Sequence, residues 1–298
     1  MILVRELLPA FLDFWREAQG RPQDEQLRLW EDLYESRHPS VFEVYFSPPY
    51  WGRRENLPWA LQRYAEDMER ISKAAQDAVG LIPQVIESTL SAFAAREDEI
   101  EMGVVSFVGA YGADGFGFPL AGSTTVFLAL EQLGHYEPNR VKALTAHELS
   151  HGLHLELRRH VRPEWFAEIM RNPRQLFRFA SALLAEGLAV AASKRIIPGL
   201  EERFYLFYSP EQWDWCRANR AKLIALALDA LEREDQGDYF RYFATAEQSE
   251  ELPHGRTGYY IGCLAVERLL KRYTLRQLAV MEFEEHSGLI RRALVKGV

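Results

Sequence analysis

The segment TAHELSHGLH, residues 145–154, contains three histidines and one glutamate in a chain that has only 8 histidines. His147 and His151 are four residues apart. On an α-helix this spacing places the two imidazoles about 40° apart around the axis and about 6 Å apart along it, so both rings can turn toward one point. A zinc ion accepts imidazole nitrogens at about 2.0–2.1 Å. Glu148 projects beside the pair, where its carboxylate can hold a water molecule and accept its proton.

A zinc site that performs chemistry needs a third protein ligand. Metzincins use a histidine six residues after the second one, following a glycine that turns the chain. Here Leu157 occupies that position and His154 stands at the turn, so the metzincin pattern fails. The alternative is a glutamate on a second helix, and Glu186 in LLAEGLAVAAS, residues 183–193, is the candidate. Small residues around it allow two helices to approach closely, and a carboxylate buried there is costly without a cation.

Three motifs of the chain resemble a known group of enzymes. They are HELSH at 147–151, EGLA at 186–189 and GYYIG at 258–262. The chain is similar to gluzincin-type zinc metallopeptidases, and within that clan to an uncharacterised bacterial family of predicted zinc-dependent proteases. The similarity covers about residues 103–295.

The resemblance implies roles for individual residues. Zn²⁺ would be held by His147, His151 and Glu186, and would lower the pKa of water from 15.7 toward about 7. Glu148 would be the general base. The resemblance makes Tyr259 the candidate donor to the developing oxyanion, and the alternatives are Tyr260, His254 and Arg256.

The resemblance also bears on the surroundings of the metal. Well-known gluzincins carry an acid four residues after the ligand glutamate to orient a histidine, whereas this chain has Val190. Ser193 or a backbone carbonyl is the remaining candidate for that task. The segment STTVFLAL, residues 123–130, is expected to supply the edge strand that pairs with an extended peptide. A Gly-x-Met-Glu-Asn motif, which aminopeptidases of the clan use to bind a free amino terminus, is missing, and this favours an endopeptidase.

The pattern along the chain predicts which elements position these residues. Apolar residues recur three and four apart up to about residue 98, which indicates helices. From residue 103, β-branched and aromatic runs separated by glycines predict short strands near 103–110, 115–121 and 124–130. Helices return after residue 138. They are predicted at about 140–158, 163–171, 173–195, 210–233, 258–272 and 275–295, with Asn139, Asn172 and the capping boxes SPEQ (209–212) and TLRQ (274–277) marking four starts.

These elements predict an α+β, mostly helical fold. Together with the resemblance they imply a zincin-like metalloprotease fold, with a small β-sheet, an active-site helix and a helical C-terminal part. The expected division is a helical N-terminal region at 1–98 and a catalytic domain at 99–298.

Composition and net charge make several functions unfavourable. The chain is 48% hydrophobic and 26% charged, as in ordinary globular proteins, and its net charge of −8 disfavours binding to nucleic acid or an anionic membrane. The N-terminal apolar stretch is interrupted by Arg5, Glu6 and Asp13 before it reaches the length of a signal peptide. Cys216 and Cys263 are far apart and are expected to be reduced. We therefore expect a cytoplasmic protein that acts on a peptide or protein substrate.

The predicted function is a zinc-dependent peptidase with Glu148 as general base. A zinc-stabilised binding or regulatory protein that cleaves nothing is the first alternative, although a purely structural zinc site has no use for Glu148 and normally closes with a fourth protein ligand. A zinc hydrolase of a non-peptide amide is the second alternative, and it would use the same residues.

Overall fold

A computed structural model gives the fold and describes residues 1–47, 51–120, 122–171, 178–233, 237–244 and 249–296. Within these ranges the protein is mostly helical and has one four-stranded sheet, which confirms the coarse prediction of an α+β chain. None of the helices described has both the length and the apolar character needed to cross a lipid bilayer. The elements are β1 (Ile2–Glu6), α1 (Leu8–Ala18), α2 (Gln23–Trp30), a π-helical turn (Glu31–Glu35), α3 (Pro39–Tyr45), a 3₁₀ turn (Arg54–Asn56), α4 (Leu57–Ala92), a second 3₁₀ turn (Glu97–Glu99), β2 (Met102–Phe107), β3 (Gly115–Leu120), β4 (Ser123–Ala129), α5 (Leu130–Leu133), α6 (Pro138–Val161), α7 (Pro163–Arg171), α8 (Phe179–Ile196), α9 (Glu202–Leu206), α10 (Pro210–Ala218), α11 (Arg220–Arg233), α12 (Gly237–Phe243), α13 (Thr257–Leu269), α14 (Leu275–Ala279) and α15 (Phe283–Lys296).

The sheet has the strand order β1-β2-β4-β3. Strands β1, β2 and β4 are parallel, with Val104 opposite Val126, whereas β3 runs antiparallel to β4. Buried residues follow one another along β2 and β4, as expected for strands covered on both faces. β4 is therefore paired on both sides, and the expectation that STTVFLAL forms an edge strand is wrong. The edge next to β4 is β3, whose Pro119 suits an edge position.

The helical interpretation of the N-terminus is wrong for its first residues. Ile2–Glu6 form β1, which pairs in parallel with β2 from Met102 to Ser106. Four of its five residues are exposed, so no alternation of buried and exposed positions marks the strand in the sequence. A partner about 100 residues away supplies its hydrogen bonds, and a local pattern does not contain that information.

The described chain forms two compact units. The first comprises Met1–Glu87 and Glu101–Gly152 and contains the whole sheet. The second comprises Ser88–Ile100 and Leu153–Val298 and includes α7 to α15. The sequence-based division between residues 98 and 99 separates a helical region from a catalytic domain, and it stays a prediction.

Aromatic side chains form much of the core of the first unit. Phe11, Trp30, Tyr34 and Tyr64 are completely buried. Phe11 meets Tyr64 edge-on with ring centroids 5.0 Å apart, and Trp30 meets Tyr34 in the same way at 5.0 Å. Aromatic pairs in this arrangement contribute about 0.5–1.5 kcal/mol beyond the burial of their area. The tyrosines of this core also direct hydroxyl groups toward the chain that follows β2.

The second unit is organised around close packing of α8 and α13. A Cβ placed on Gly187 would lie 2.2 Å from the carbonyl oxygen of Gly262, and one placed on Gly262 would lie 2.4 Å from the carbonyl oxygen of Leu183. The two glycines therefore let the helix backbones touch. The small residues around Glu186 do permit a close helix approach, and at Gly187 the partner is α13.

The predicted helices agree with the structure in position and differ in continuity. The segment 210–233 is two helices that separate at Asn219, and 275–295 is the pair α14 and α15. Thr274 and Gln277 form the predicted reciprocal capping box, whereas at SPEQ the structure has one half of it, in which the Ser209 hydroxyl accepts from the Gln212 amide at 3.2 Å. α8 is described from residue 179, and the predicted cap at Asn172 lies outside the described residues.

Candidate metal centre

Helix α6 carries both histidines of the predicted metal site. Pro138 is its first residue, where the missing N–H of proline leaves no helical hydrogen bond unmade. Gly152 brings this helix directly onto the sheet. A Cβ on Gly152 would lie 2.3 Å from a methyl group of Val126 and 2.9 Å from the sulfur of Met102, so any larger residue would push α6 away from β4 and β2.

The two imidazoles converge as their spacing predicts. The Nε2 atoms of His147 and His151 are 3.0 Å apart, and the ring planes meet at 81°. Two nitrogens bound at about 2.0–2.1 Å to a tetrahedral zinc ion are roughly 3.3 Å apart. His147 is buried and only 2% exposed, so its ring position is set by packing. The pair needs little rearrangement to bind one ion.

Glu186 of α8 completes a group of three candidate ligands. One ligand atom from each of His147, His151 and Glu186 lies within 4.8 Å of the other two. Two imidazole nitrogens and one carboxylate oxygen are a donor set found in catalytic zinc sites, where the fourth position is left to water or substrate. The three residues predicted as ligands therefore form a group that could hold a metal ion.

Glu148 lies against the first residue of β3. It is buried, and a Cβ placed on Gly115 would come within 2.6 Å of its Cγ atom and 3.1 Å of its carboxyl carbon. The predicted general base therefore occupies space that any side chain at position 115 would need. Gly115 was not expected to matter, and its only signal in the sequence is its place in the glycine-rich run GADGFGFPLAG, residues 112–122.

Tyr259, the predicted oxyanion donor, belongs to a cluster with Arg256. The guanidinium of Arg256 lies 4.4 Å from the centre of the Tyr259 ring and 5.4 Å from that of Phe207. Arg256 has a φ of +60°, an uncommon backbone conformation for a residue with a side chain. The Tyr208 hydroxyl donates to the Arg256 carbonyl at 2.6 Å and supports this conformation. The cluster places a cation and a phenol at the start of α13.

The other two alternatives for the oxyanion donor pack against tryptophans. Tyr260 is buried, and its ring meets Trp213 edge-on with centroids 5.8 Å apart. The His254 ring lies 5.2 Å from that of Trp215. These contacts give both residues a packing role, and the Tyr259 ring has a similar one against Phe243 at 5.9 Å, so all four residues stay candidates for the oxyanion donor.

Tyr239 of α12 is a neighbour of the metal group that the sequence analysis missed. Burial and, next, the negative charge of Glu186 raise the pKa of Tyr239, while the positive charge of Arg256 lowers it. The phenol is thus protonated at neutral pH and close enough to both groups to sense their charges. No motif marks Tyr239, because only the packing of α12 against α8 and α13 brings it there.

Ser193 is engaged within its own helix. It is buried, and its hydroxyl donates to the Ala189 carbonyl at 2.8 Å. A serine hydroxyl has one proton to donate, so this bond uses its donor capacity. A metal-bound histidine needs an acceptor for its other ring N–H, and the hydroxyl oxygen of Ser193 keeps lone pairs for that purpose, so the expectation that Ser193 orients a histidine ligand stays a prediction.

Comparison with known proteins adds no relative. No protein-family model matches the chain, and neither the curated proteins nor the solved structures include a match. The resemblance to gluzincins accordingly depends on HELSH, EGLA and GYYIG and on the convergence of His147, His151 and Glu186.

Proposed function

We propose that this protein is a zinc-dependent peptidase of the gluzincin type, with Glu148 as its general base. The observation that carries the proposal is the group formed by His147, His151 and Glu186, because residues 35 positions apart in the chain supply it. A helical pair of histidines has many structural explanations, whereas a third donor at the required position has few. Glu148, next to the first ligand, gives such a site a chemical use.

The donor set fits zinc better than the common hard cations. Mg²⁺ and Ca²⁺ prefer cages of oxygen ligands, while imidazole nitrogens with one carboxylate suit zinc. Zinc bound there would lower the pKa of water to about 7 and polarise a substrate carbonyl. His147, His151 and Glu186 would hold the ion.

The chain's own residues supply the remaining chemistry. Glu148 accepts the proton of the attacking water and delivers it to the leaving amine. Tyr259 or Arg256 stabilises the negative charge that develops on the carbonyl oxygen, since both lie in one cluster at the start of α13. Tyr239 helps to orient Glu186 by presenting a protonated phenol near it.

Strand β3 supports peptide binding. As the edge next to β4, it has a side without a strand partner among the described residues. An extended peptide can add to such an edge through main-chain hydrogen bonds, which tolerate many side chains and do not require a chain end. This favours an endopeptidase. An antiparallel edge strand, the histidine helix and a later glutamate helix also support a zincin-like fold.

We expect the enzyme to act in the cytoplasm on peptides or unfolded proteins. Cys216 and Cys263 are buried thiols, which suits a reducing compartment. The acidic net charge is unfavourable for nucleic acid.

The variant Glu148→Gln tests the general base. It keeps the size of the side chain, so zinc content should match the wild type while hydrolysis of fluorogenic peptides and unfolded proteins falls by roughly 10³-fold or more. Glu137→Gln, exposed just before α6, is the matched control and should keep full activity. Unaltered turnover in Glu148→Gln would reject the assignment of the base.

The variant Glu186→Ala tests the third ligand. Zinc content after dialysis should fall markedly, and Glu201→Ala, an exposed glutamate in the same unit, should retain it. Full zinc content in Glu186→Ala would show that another residue ligates. A wild-type protein that binds zinc and hydrolyses no peptide with or without chelator would favour the binding protein, or a hydrolase of other amides.

A further inference from the structure

The segment between β2 and β3 is held by side chains from other parts of the first unit. Six successive backbone amides, from residue 108 to residue 113, each donate a hydrogen bond outside the segment. Tyr45 and Glu131 together receive the middle four. Gly109 and Tyr111 donate to the two carboxylate oxygens of Glu131 at 2.8 and 3.2 Å, and Ala110 and Gly112 donate to the Tyr45 hydroxyl at 2.9 and 3.1 Å.

A glutamate at position 131 carries a large desolvation cost. Its side chain is completely buried, and burial raises its pKa to about 7 even though the amides of Gly109 and Tyr111 favour the charged form. A glutamine or an apolar residue would avoid that desolvation cost. What the carboxylate provides is two acceptor oxygens that bind alternate amides of one segment, and successive N–H groups are well suited to hold an anion.

The same segment has an unfavourable backbone conformation. Tyr111 has a φ of +54°, in the left-handed region that residues with side chains seldom adopt. Its hydroxyl donates to Asp67 at 2.8 Å, and the Gln132 side chain donates to the Gly112 carbonyl at 2.7 Å. A conformation of this kind persists only where the surroundings determine it strongly.

The segment leads directly to the predicted general base. Asp114 follows the segment 108–113 and its carbonyl accepts from the Ala129 amide at 3.0 Å, and the next residue is Gly115. Gly115 is the backbone against which the buried Glu148 side chain rests. The position of Gly115 therefore decides how much freedom Glu148 has.

We propose that Glu131 and Tyr45 are positioning residues, which hold the segment 108–113 so that Gly115 stays against Glu148 and fixes its carboxylate. The catalytic consequence rests on the proposed peptidase function. The structural consequence does not depend on that function: the Gly115 amide is protected from hydrogen exchange, and the Glu148 side chain is confined to one position.

Tyr45→Phe is the main test. It keeps the ring, which packs 5.1 Å from Phe107, and removes the acceptor for two amides. Tyr205→Phe is the matched control, because Tyr205 is also buried and its hydroxyl also has two backbone partners, the Ile197 carbonyl and the Leu200 amide, in the second unit. Glu131→Gln is the second variant, since an amide keeps one acceptor and presents a donor to the other amide.

Two measurements on the metal-free proteins test whether Glu131 and Tyr45 fix the positions of Gly115 and Glu148. Amide hydrogen exchange should become about tenfold faster or more for residues 109–115 in Tyr45→Phe and Glu131→Gln, and should stay unchanged for α6. The carboxyl ¹³C resonance of Glu148, assigned by its loss in Glu148→Gln, should shift in both variants. Tyr205→Phe should show neither change.

Kinetics on the zinc-loaded proteins test whether this positioning affects catalysis. kcat should fall about tenfold in Tyr45→Phe with unaltered zinc content, and a general loss of stability would instead leave kcat per folded molecule unchanged. Unchanged exchange at Gly115 and an unchanged Glu148 resonance would overturn the proposal. An altered Glu148 resonance together with an unaltered kcat in an active enzyme would also overturn the proposal. If both structural signals change and the wild type hydrolyses nothing, the positioning stands and the peptidase function fails.

Discussion

Replacement of Gly187 by alanine tests the close helix packing next to Glu186, the proposed third ligand. The new Cβ would lie 2.2 Å from the Gly262 carbonyl oxygen and 2.9 Å from a methyl group of Val266, whereas ordinary van der Waals contact begins at 3.4 Å. The nearest obstacle is backbone, so α8 and α13 must separate. Overpacking of this kind costs about 1–3 kcal/mol. Gly80 is the matched control, because it is an exposed glycine inside helix α4, where an added Cβ would meet no atom within 4 Å.

The two substitutions should have opposite signs. Gly80→Ala should raise the free energy of unfolding by about 0.5–1 kcal/mol, since alanine is the better helix former. Gly187→Ala should lower it, which gives a difference of about 1.5–4 kcal/mol between the variants in urea unfolding. Zinc affinity should weaken in Gly187→Ala alone, because the shift of α8 displaces the adjacent ligand. Equal stability changes in the two variants would refute the contact between α8 and α13.

Two further predictions concern pH and use urea unfolding at pH 5 and pH 8. The pKa of Glu131 is raised from 4.5 to about 7, so the folded state holds the proton more tightly, and the stabilisation present below pH 4.5 is lost as the pH rises through 7. The free energy of unfolding of the wild type relative to that of Glu131→Gln should therefore decrease by about 2–3 kcal/mol from pH 5 to pH 8. The same relative stability at both pH values would contradict the buried carboxyl. Burial and then the charge of Arg158 lower the pKa of His286 from 6.5 to about 3, so its neutral form is favoured and stability is lost as the pH falls below 6.5. The free energy of unfolding of the wild type relative to that of His286→Gln should be about 2 kcal/mol smaller at pH 5 than at pH 8, which is the opposite pH dependence to that of Glu131. The same relative stability at both pH values would mean that the imidazole is exposed to water.

The two candidate histidine ligands are predictable because metal binding constrains their spacing. Residues three or four apart on a helix share one face, and the four-residue spacing of His147 and His151 is visible in the sequence without any knowledge of the fold. Glu186 is predictable as a candidate because it is a lone acid among small and apolar residues, where a buried carboxylate favours a nearby cation. The strands from 103 to 130 were also visible, because β-branched runs between glycines have few other solutions.

Residues that act through distant partners were not predictable. Tyr239 carries no motif and gains meaning only because α12 packs against α8 and α13. Gly115 looks like one glycine among several in a turn, and its contact with Glu148 depends on how β3 pairs with β4. The sequence pattern likewise predicts β4 as the edge strand, whereas β3 is the edge strand, because strand order depends on pairing across the whole sheet.

Local patterns identify the candidate donor residues and the helix that presents two of them, because the spacing of His147 and His151 and the small, apolar neighbours of Glu186 are each visible within about ten residues. Tertiary packing alone selects the chain segments that confine those side chains. Glu131 and Tyr45 reach the segment 108–113 from 20 and more residues away, and the partner of Gly187 lies 75 residues later. Contacts at such separations follow from the packing of the whole unit, and no local preference encodes them.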